Sequence, residues 1–384
     1  MTENVLVACP SCGASVAEGE RFCESCGAEL SASSGDGDDG AGGEPVSASG
    51  RVSLPGSQAG AAVPPRVRSG VAVAPVDLDG LPVACAACGG VIAADGYCEQ
   101  CGTPAVRPRD HWIDQPVAWV AAVCDRGVRH SRNEDAVAVA AEPAPGSFAA
   151  LVVCDGVSSA PDSDLASLAA ARAGRDVLAG PSLAGPLLAP DADRTRLLAE
   201  AVVAAGAAAH EAASEVGRRV AGQGRGNPPS TTFVAGVLAS HLLVVGWVGD
   251  SRAYWLPDTG EARQLSTDDS WAAEAIALGV SREEAESGPN AHAITRWLGA
   301  DAPDPTPHTV DVAVDGPGWV LLCSDGLWNY SSEASELAGL LTRTAVSLQE
   351  SPPRVGVLAS ALVEWAIGQG GADNISVALA RVQT

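Results

Sequence analysis

Apolar runs that meet an acidic residue at one end recur along the C-terminal two-thirds of the chain. Asp155 follows the apolar run at 148–154, Asp325 follows the run at 319–323, and Asp373 precedes the run at 375–382. A carboxylate at the end of a buried strand is costly unless a positive group meets it, and a metal ion is a common solution. The pattern therefore predicts buried strands whose ends carry these three aspartates.

The remaining apolar and polar positions predict strands and helices in groups. Strand patterns occur at 117–124, 136–141, 148–154, 231–239, 241–248, 252–256, 319–324 and 375–382. Helical patterns occur at 164–178, 191–220, 332–344 and 353–368, with a short helical region inside 268–300. The strands come in antiparallel-style pairs, and the helices come in consecutive pairs between groups of strands. This order predicts an α+β fold rather than a wound βαβ sheet.

Cysteines dominate the N-terminal part. Of the 11 cysteines, eight form four C-x-x-C pairs, each followed by glycine: Cys9, Cys12, Cys23, Cys26, Cys85, Cys88, Cys98 and Cys101. The glycine frees the turn so that backbone amides can point at the thiolates. Disulfides or a redox C-x-x-C are the alternatives, but paired knuckles without an export signal favour tetrahedral Zn²⁺. We therefore expect two zinc ribbons with one Zn²⁺ each, similar to ribbons at the ends of many bacterial regulatory proteins.

Composition divides the chain into five segments. Residues 1–30 and 81–104 are the expected ribbons, and residues 31–80, rich in Gly, Ser, Pro and Asp, predict a flexible linker. Residues 105–116 predict a second, shorter connection, and 117–384 predict the main domain.

The formal net charge is −24, which argues against a protein that binds nucleic acid or anionic lipid through broad electrostatics. Neither a secretory signal nor a bilayer-spanning apolar stretch is visible. We therefore expect a cytoplasmic protein without nucleic-acid or membrane partners.

Seven short clusters between residues 117 and 384 carry a family resemblance. In order they are Asn133-Glu134-Asp135, Asp155-Gly156, Gly249-Asp250-Ser251-Arg252, Asp268-Asp269, Thr295-Arg296-Trp297-Leu298-Gly299, Ser324-Asp325-Gly326 and Asp373-Asn374. Each cluster alone is a weak signal. In this order and at these spacings they resemble the metal-dependent PPM (PP2C-type) protein serine/threonine phosphatases.

The resemblance implies a PP2C-like four-layer αββα sandwich with the site at one end. It implies two Mn²⁺ or Mg²⁺ ions and an activated water that attacks phosphorus in line. Matching the motifs residue by residue gives the ligands Glu134, Asp155, the Gly156 carbonyl, Asp325 and Asp373. The implied activity is a regulatory phosphatase of phosphoserine and phosphothreonine proteins, with a bacterial-type Ser/Thr kinase and its substrates as partners. Residues 268–300 match the family's flap, which contacts the peptide.

Three positions depart from the family pattern: His130, Asn329 and Asp269, the last of which replaces a histidine common in that run of the family. His130 stands where many members have a phosphate-binding arginine, so we expect Arg132 or Arg129 to replace that contact. Asn329 stands where many members have an aspartate that serves, with the residue matching Asp268, a third metal; a third site at Asp268 is therefore expected to be weak or absent.

Two further expectations concern the role of Asp250 and the possible loss of activity. Asp250 is expected to fix a tight turn with Arg252 as its partner. His130 and Asn329 also motivate the alternative of a pseudophosphatase or scaffold that binds phosphoproteins without turnover.

Overall fold

A computed structural model describes residues 6–8, 15–17, 71–73, 84–180, 183, 193–220, 227–288, 293–350 and 352–383. The chain divides into two units, residues 1–65 and 66–384. In the first unit, Leu6–Ala8 and Ser15–Ala17 pair as antiparallel strands. The first expected ribbon's cysteines (Cys9, Cys12, Cys23, Cys26) and residues 31–70 and 74–80 of the expected linker lie outside the described residues.

The second unit contains thirteen named strands in the described residues. They are β1 (His111–Val117), β2 (Val120–Asp125), β3 (Ala136–Ala141), β4 (Phe148–Cys154), β5 (Ser230–Thr231), β6 (Phe233–Ala239), β7 (Leu242–Val248), β8 (Arg252–Pro257), β9 (Arg263–Gln264), β10 (Leu298–Gly299), β11 (His308–Ala313), β12 (Gly318–Cys323) and β13 (Ile375–Val382). A six-stranded sheet has the order β9-β8-β12-β13-β2-β1, and a five-stranded sheet has the order β11-β7-β6-β4-β3. Every pairing within the two sheets is antiparallel.

The α-helices among the described residues are α1 (Ser163–Leu178), α2 (Arg194–Val220), α3 (Trp271–Ala277), α4 (Arg282–Ser287), α5 (Asp325–Trp328), α6 (Ala334–Ser347) and α7 (Val355–Gln369). Four of them cover the outer faces of the two sheets. Helices α1 and α2 pack on the five-stranded sheet, and α6 and α7 pack on the six-stranded sheet. The predicted four-layer αββα sandwich is therefore confirmed. No helix in the described ranges is both long and apolar enough to cross a membrane.

The continuous apolar runs of the central strands follow from this layering. In β4, Leu151 and Val153 point into the core between the two sheets, while Ala150 and Val152 point into the core beneath α1 and α2. Side chains of a strand alternate between the two faces, so a strand buried on both faces needs apolar residues at every position.

Strand β1 begins inside the segment that we expected to be a connection at 105–116. It pairs with β2, with Trp112 opposite Cys124, and its side chains alternate between exposed and buried. The prediction for this segment was therefore wrong over residues 111–116. Polar side chains on the exposed face and Pro116 obscured the alternation. Strand β11 was missed for a similar reason, because Val312 is its one buried position.

Residues 71–73 also depart from the expected flexible linker. Ala72 forms two backbone hydrogen bonds with Ala141, at 2.7 and 3.1 Å, on the outer edge of β3. Val71 is 9% exposed and packs in the core beneath α1 and α2. This part of the segment therefore adds a short strand contact to the sandwich.

Candidate active site

The strand pairing brings the acidic strand ends to one end of each sheet. In the six-stranded sheet, Cys323 lies opposite Val377, so the turn after β12 and the loop before β13 are neighbours. In the five-stranded sheet, Ala136 lies opposite Cys154, so the residues before β3 meet those after β4. Antiparallel pairing thus places Asp325 beside the Asp373 loop and Asp155 beside Glu134.

Glycines allow these loops to approach closely. A Cβ atom on Gly156 would lie 2.6 Å from the Glu134 carbonyl oxygen, and a Cβ on Gly326 would collide with the Asn374 carbonyl. Gly127 has a φ of 70°, and a Cβ there would collide with the Asp373 carbonyl. Gly127 and the glycines that follow Asp155 and Asp325 are therefore needed for packing at this end of the sandwich.

Asn374 links the loops through its side-chain amide. Its Oδ1 accepts a hydrogen bond from the Glu134 amide at 2.7 Å, and its Nδ2 donates to the carbonyls of Arg126 and Arg132 at 2.7 and 3.2 Å. Asn374 is 2% exposed. Both polar atoms of its side chain contact backbone, so Asn374 fixes the loop that carries Glu134 and is not available as a metal ligand.

The aspartates interact strongly with one another. Burial raises the pKa of Asp155 well above its usual range, and repulsion from Asp135, Asp325 and Asp373 raises it further. Burial also raises the pKa of Asp325, and Asp373, Asp250 and Asp135 add to that effect. Several carboxylates in one poorly solvated site favour a cation between them.

Asp135 provides an independent test of whether a cation fits. It is fully buried, and its Oδ2 accepts a hydrogen bond from the Ser324 hydroxyl at 2.7 Å. Its Oδ1 is buried without a hydrogen-bond partner among the described residues. Burial raises the pKa of Asp135 to about 7. A buried carboxylate oxygen without a donor, inside an all-oxygen group of side chains, fits a hard divalent cation and its waters.

Glu134 has the opposite electrostatic environment. Burial alone would raise its pKa, but hydrogen bonds from His130, Ser163 and Arg132 lower it to about 2. The Ser163 hydroxyl donates to Glu134 Oε1 at 2.5 Å, and Arg132 Nη2 donates to the same oxygen at 2.6 Å. Glu134 is therefore ionised throughout the neutral range.

Family models match both parts of the chain. A protein phosphatase 2C model matches residues 126–365, and a double zinc ribbon model matches residues 9–108. The chain belongs to the protein phosphatase 2C family. Serine/threonine protein phosphatase PstP of Mycobacterium tuberculosis is 32% identical over 265 residues, which cover 68% of this chain and 44% of that relative. The chain thus spans less than half the length of that relative.

Solved structures of phosphatases share the fold. The M. tuberculosis serine/threonine phosphatase PstP/Ppp aligns with a TM-score of 0.50 at 27% identity, covering 69% of this chain and 98% of that chain. The S. agalactiae serine/threonine phosphatase aligns with a TM-score of 0.52 at 21% identity, covering 71% and 100%. The second similarity supports the fold alone.

The three basic residues expected near the phosphate differ in their contacts. His130 Nε2 lies 3.2 Å from Asp373 Oδ1, and its Nδ1 lies 3.7 Å from Glu134 Oε2. Hydrogen bonding to Glu134 raises the pKa of His130. Arg132 Nη2 lies 2.6 Å from Glu134 Oε1, so His130 and Arg132 both contact Glu134. Arg129 is exposed, and its backbone amide contacts the Gly371 carbonyl.

Asp268 does not lie open for a third metal. Both of its carboxylate oxygens accept hydrogen bonds from Arg252, at 2.7 to 3.1 Å, and both side chains are buried. The expectation that Asp250 pairs with Arg252 was therefore wrong, because Asp268 takes that place. Asn329 Nδ2 donates to Asp325 Oδ2 at 3.1 Å, so this side chain orients a carboxylate.

Sequence reasoning did not assign Asp135 and Asp250 to the acidic group. Asp250 is 5% exposed, and burial, followed by repulsion from Asp268, raises its pKa to about 7. Asp135 directly follows Glu134 in the motif, which was the available signal. Asp250 lies in the Gly249–Arg252 cluster, but the sequence does not reveal which acid Arg252 neutralises.

The second set of cysteines forms a compact group. The ligand atoms of Cys85, Cys88, Cys98 and Cys101 lie within 4.8 Å of one another. The Sγ atom of Cys88 is 3.4 Å from that of Cys98 and 3.3 Å from that of Cys101. The Gly90 amide donates to Cys88 Sγ at 3.4 Å. Four thiols at these separations suit a tetrahedral Zn²⁺.

Proposed function

We propose that this chain is a metal-dependent phosphatase that removes phosphate from phosphoserine and phosphothreonine in proteins. The observation that carries the proposal is the group of buried carboxylates around Asp155 and Asp325, with an unpartnered oxygen on Asp135. Such a group is unfavourable without a bound cation. Family membership supplies the reaction class.

The expected ligands divide into two sets around Asp155. Asp325 and Asp373 would hold one Mn²⁺ or Mg²⁺, and Glu134 and the Gly156 carbonyl would hold the other, with Asp155 shared between them. Two divalent ions bound there would supply an activated water for attack on phosphorus and stabilise the phosphoryl charge. Asn374 and the glycines then serve to hold the ligand-bearing loops in place.

Arg132 is our candidate for binding the substrate phosphate. Its Nε and Nη2 atoms hold Glu134, and its Nη1 has no hydrogen-bond partner within the described part of the chain. Its side chain is 38% exposed. A guanidinium anchored on one edge can present the other edge to a phosphate. The contacts of His130 with two carboxylates make it a weaker candidate.

The decisive experiment measures Mn²⁺-dependent release of phosphate from p-nitrophenyl phosphate and from a phosphothreonine peptide. Asp155→Asn and Asp325→Asn should each lower kcat/KM by more than ~100-fold, since even outer partners of metal ligands are worth ~10–100-fold. Asp315→Asn, at an exposed position, is the matched control. A wild-type protein that binds the phosphopeptide without turnover in any divalent metal would instead identify a pseudophosphatase.

We further propose that the cysteine sets bind one Zn²⁺ each and that the ribbons at 1–30 and 81–104 serve structure or contact with other proteins. Phosphorylated proteins are the proposed substrates, and a Ser/Thr kinase that modifies them is a proposed partner. The relative PstP is named a serine/threonine protein phosphatase, which supports this substrate class.

A further inference from the structure

Arg252, at the start of β8, has an almost fully buried guanidinium. Its side chain is 2% exposed. Nε and Nη2 donate to Asp268, Nη2 also donates to Glu286 Oε1 at 3.2 Å, and Nη1 donates to Ser332 Oγ at 3.1 Å. The guanidinium therefore connects three separate segments of the chain, of which Glu286 belongs to the flap helix α4.

The same guanidinium stacks on the turn that follows Asp325. Its Cζ lies 3.6 Å from the ring centroid of Trp328, the last residue of α5. Trp328 Nε1 donates to the Asp250 carbonyl at 3.0 Å. Asp325 is the first residue of this one-turn helix, so Arg252 contacts the turn that presents an expected metal ligand.

Polar contacts join the described part of the flap to the Arg252 side of the sandwich. A cavity of about 260 Å³ lies between α3 and the Arg252–Trp328 pair, lined by small residues of α3 such as Ala272 and Ala273. The contacts that cross to α4 are polar: Ser332 Oγ donates to Glu286 at 2.9 Å, and Arg282 Nε lies 2.7 Å from Glu333 Oε1. Ion pairs and hydrogen bonds therefore join α4 to residues 332–333, while Ala285 of α4 packs against Ala272 and Ala275 of α3.

The two carboxylate partners of Arg252 differ in strength. Asp268 is 7% exposed and accepts hydrogen bonds from two nitrogens of Arg252. Glu286 is 21% exposed and accepts from one nitrogen of Arg252, at 3.2 Å, and from Arg282 Nη1 on its own helix, at 2.7 Å. The pair with Asp268 is a fixed part of the core, since breaking a buried pair leaves an uncompensated charge. The contact with Glu286 is more solvated and is the one that can open.

We propose that Arg252 is a positioning residue that holds the flap against the Asp325 turn, and that Glu286 is the releasable side of this contact. The proposal deepens the phosphatase function proposed above and rests on it. Loss of the contact between Arg252 and Glu286 would leave the metal-binding side chains in place but loosen the flap. Binding of a peptide should therefore weaken more than hydrolysis of a small ester.

Glu286→Ala in the full chain tests the proposal. Glu283→Ala is the matched control, because Glu283 lies on the same helix, is exposed and has no ion-pair partner among the described residues. We expect amide hydrogen exchange in α3 and α4 to become at least ~10-fold faster in Glu286→Ala than in the control, because Glu286 accepts charge-assisted hydrogen bonds from both Arg252 and Arg282. We also expect KM for a phosphothreonine peptide to rise about fivefold with kcat retained, so that the ratio of kcat/KM for the peptide to that for p-nitrophenyl phosphate falls.

The outcomes separate this proposal from the proposed function. Unchanged exchange in α3 and α4, or an equal loss of activity toward both substrates, would overturn the positioning role. If the wild-type protein is inert toward both substrates, the proposed function fails, and the exchange measurement alone then decides whether Arg252 and Glu286 hold the flap.

Discussion

Asp114 on β1 joins the edges of the two sheets. Its Oδ2 accepts a hydrogen bond from the Val139 amide on the edge strand β3 at 3.1 Å, and its Oδ1 is buried without a partner in the described ranges. The residue is 2% exposed. Burial raises the pKa of Asp114 from 3.8 to about 6, against the opposing effects of the Val139 hydrogen bond and the charges of Arg175 and Arg172. This carboxylate should therefore make the stability of the sandwich depend on pH.

The direction in which the free energy of unfolding changes with pH follows from proton binding. Between pH 3.8 and about 6 the folded protein binds more protons at Asp114 than the unfolded chain does, so this group's contribution to stability falls as pH rises. With these two pKa values, raising the pH from 5 to 8 should lower the free energy of unfolding by about 1.4 kcal/mol through Asp114 alone. The contribution is fully present only below pH 3.8 and is lost above about pH 6.

Asp114→Asn removes this titration and keeps the acceptor for Val139. We expect the stability of the variant relative to wild type to increase by about 1.4 kcal/mol between pH 5 and pH 8, as measured by denaturant unfolding at both values. Any constant cost of the new amide cancels in this comparison. Asp315→Asn, on an exposed side chain, corrects for the change in net charge.

A stability difference that is the same at pH 5 and pH 8 would refute a raised pKa of Asp114 in the folded protein. A difference that decreases with pH would be equally contrary, since it would mean that the folded protein stabilises the ionised form. Either result would indicate that solvent or a donor reaches Oδ1.

Three further predictions concern metal binding and the N-terminal segments. Saturating Mn²⁺ should raise the Tm of the metal-free protein, by an amount equivalent to about 3 kcal/mol at 100 times Kd, and Asp325→Asn should largely abolish this shift in thermal denaturation. Val71→Asp should destabilise the sandwich by about 2 kcal/mol or more because Val71 is buried, whereas Val128→Asp, at an exposed position, should not; equal Tm values would contradict the strand contact of Ala72. Cys88→Ser should reduce the zinc content from about two to about one ion per chain, and an unchanged content by metal analysis would remove Cys88 from the ligand set.

The strand ends were predictable because burial on both faces leaves a strong sequence signal. Strand β12 has apolar side chains in two cores, so the change to Ser324 and Asp325 marks its end clearly. The convergence of the acids was not derivable from that pattern, because the sequence does not specify that Cys323 pairs with Val377. The family resemblance supplied this information.

Edge strands and long-range ion pairs were the features that sequence reasoning missed. Strands β1 and β11 each have one polar, exposed face, and residues 71–73 provide too few residues for a pattern. Arg252 is two residues from Asp250, which suggested a local pair. Its actual partner, Asp268, is 16 residues away and is placed by the return of the chain through β9. The choice of ion-pair partner depends on tertiary packing and leaves no local signal in the sequence.

Asn329 stands where many family members have an aspartate, and this difference changes the electrostatic environment of Asp325. Asp325 already lies among acids, and Asp373 and Asp250 raise its pKa beyond the effect of burial. A further carboxylate at position 329 would add repulsion that a third cation would have to offset. The amide of Asn329 instead donates a hydrogen bond to Asp325 Oδ2, which favours the ionised form of Asp325 and fixes its orientation. Because Asp268 is also neutralised by Arg252, neither position expected to serve a third metal offers a free carboxylate in this chain.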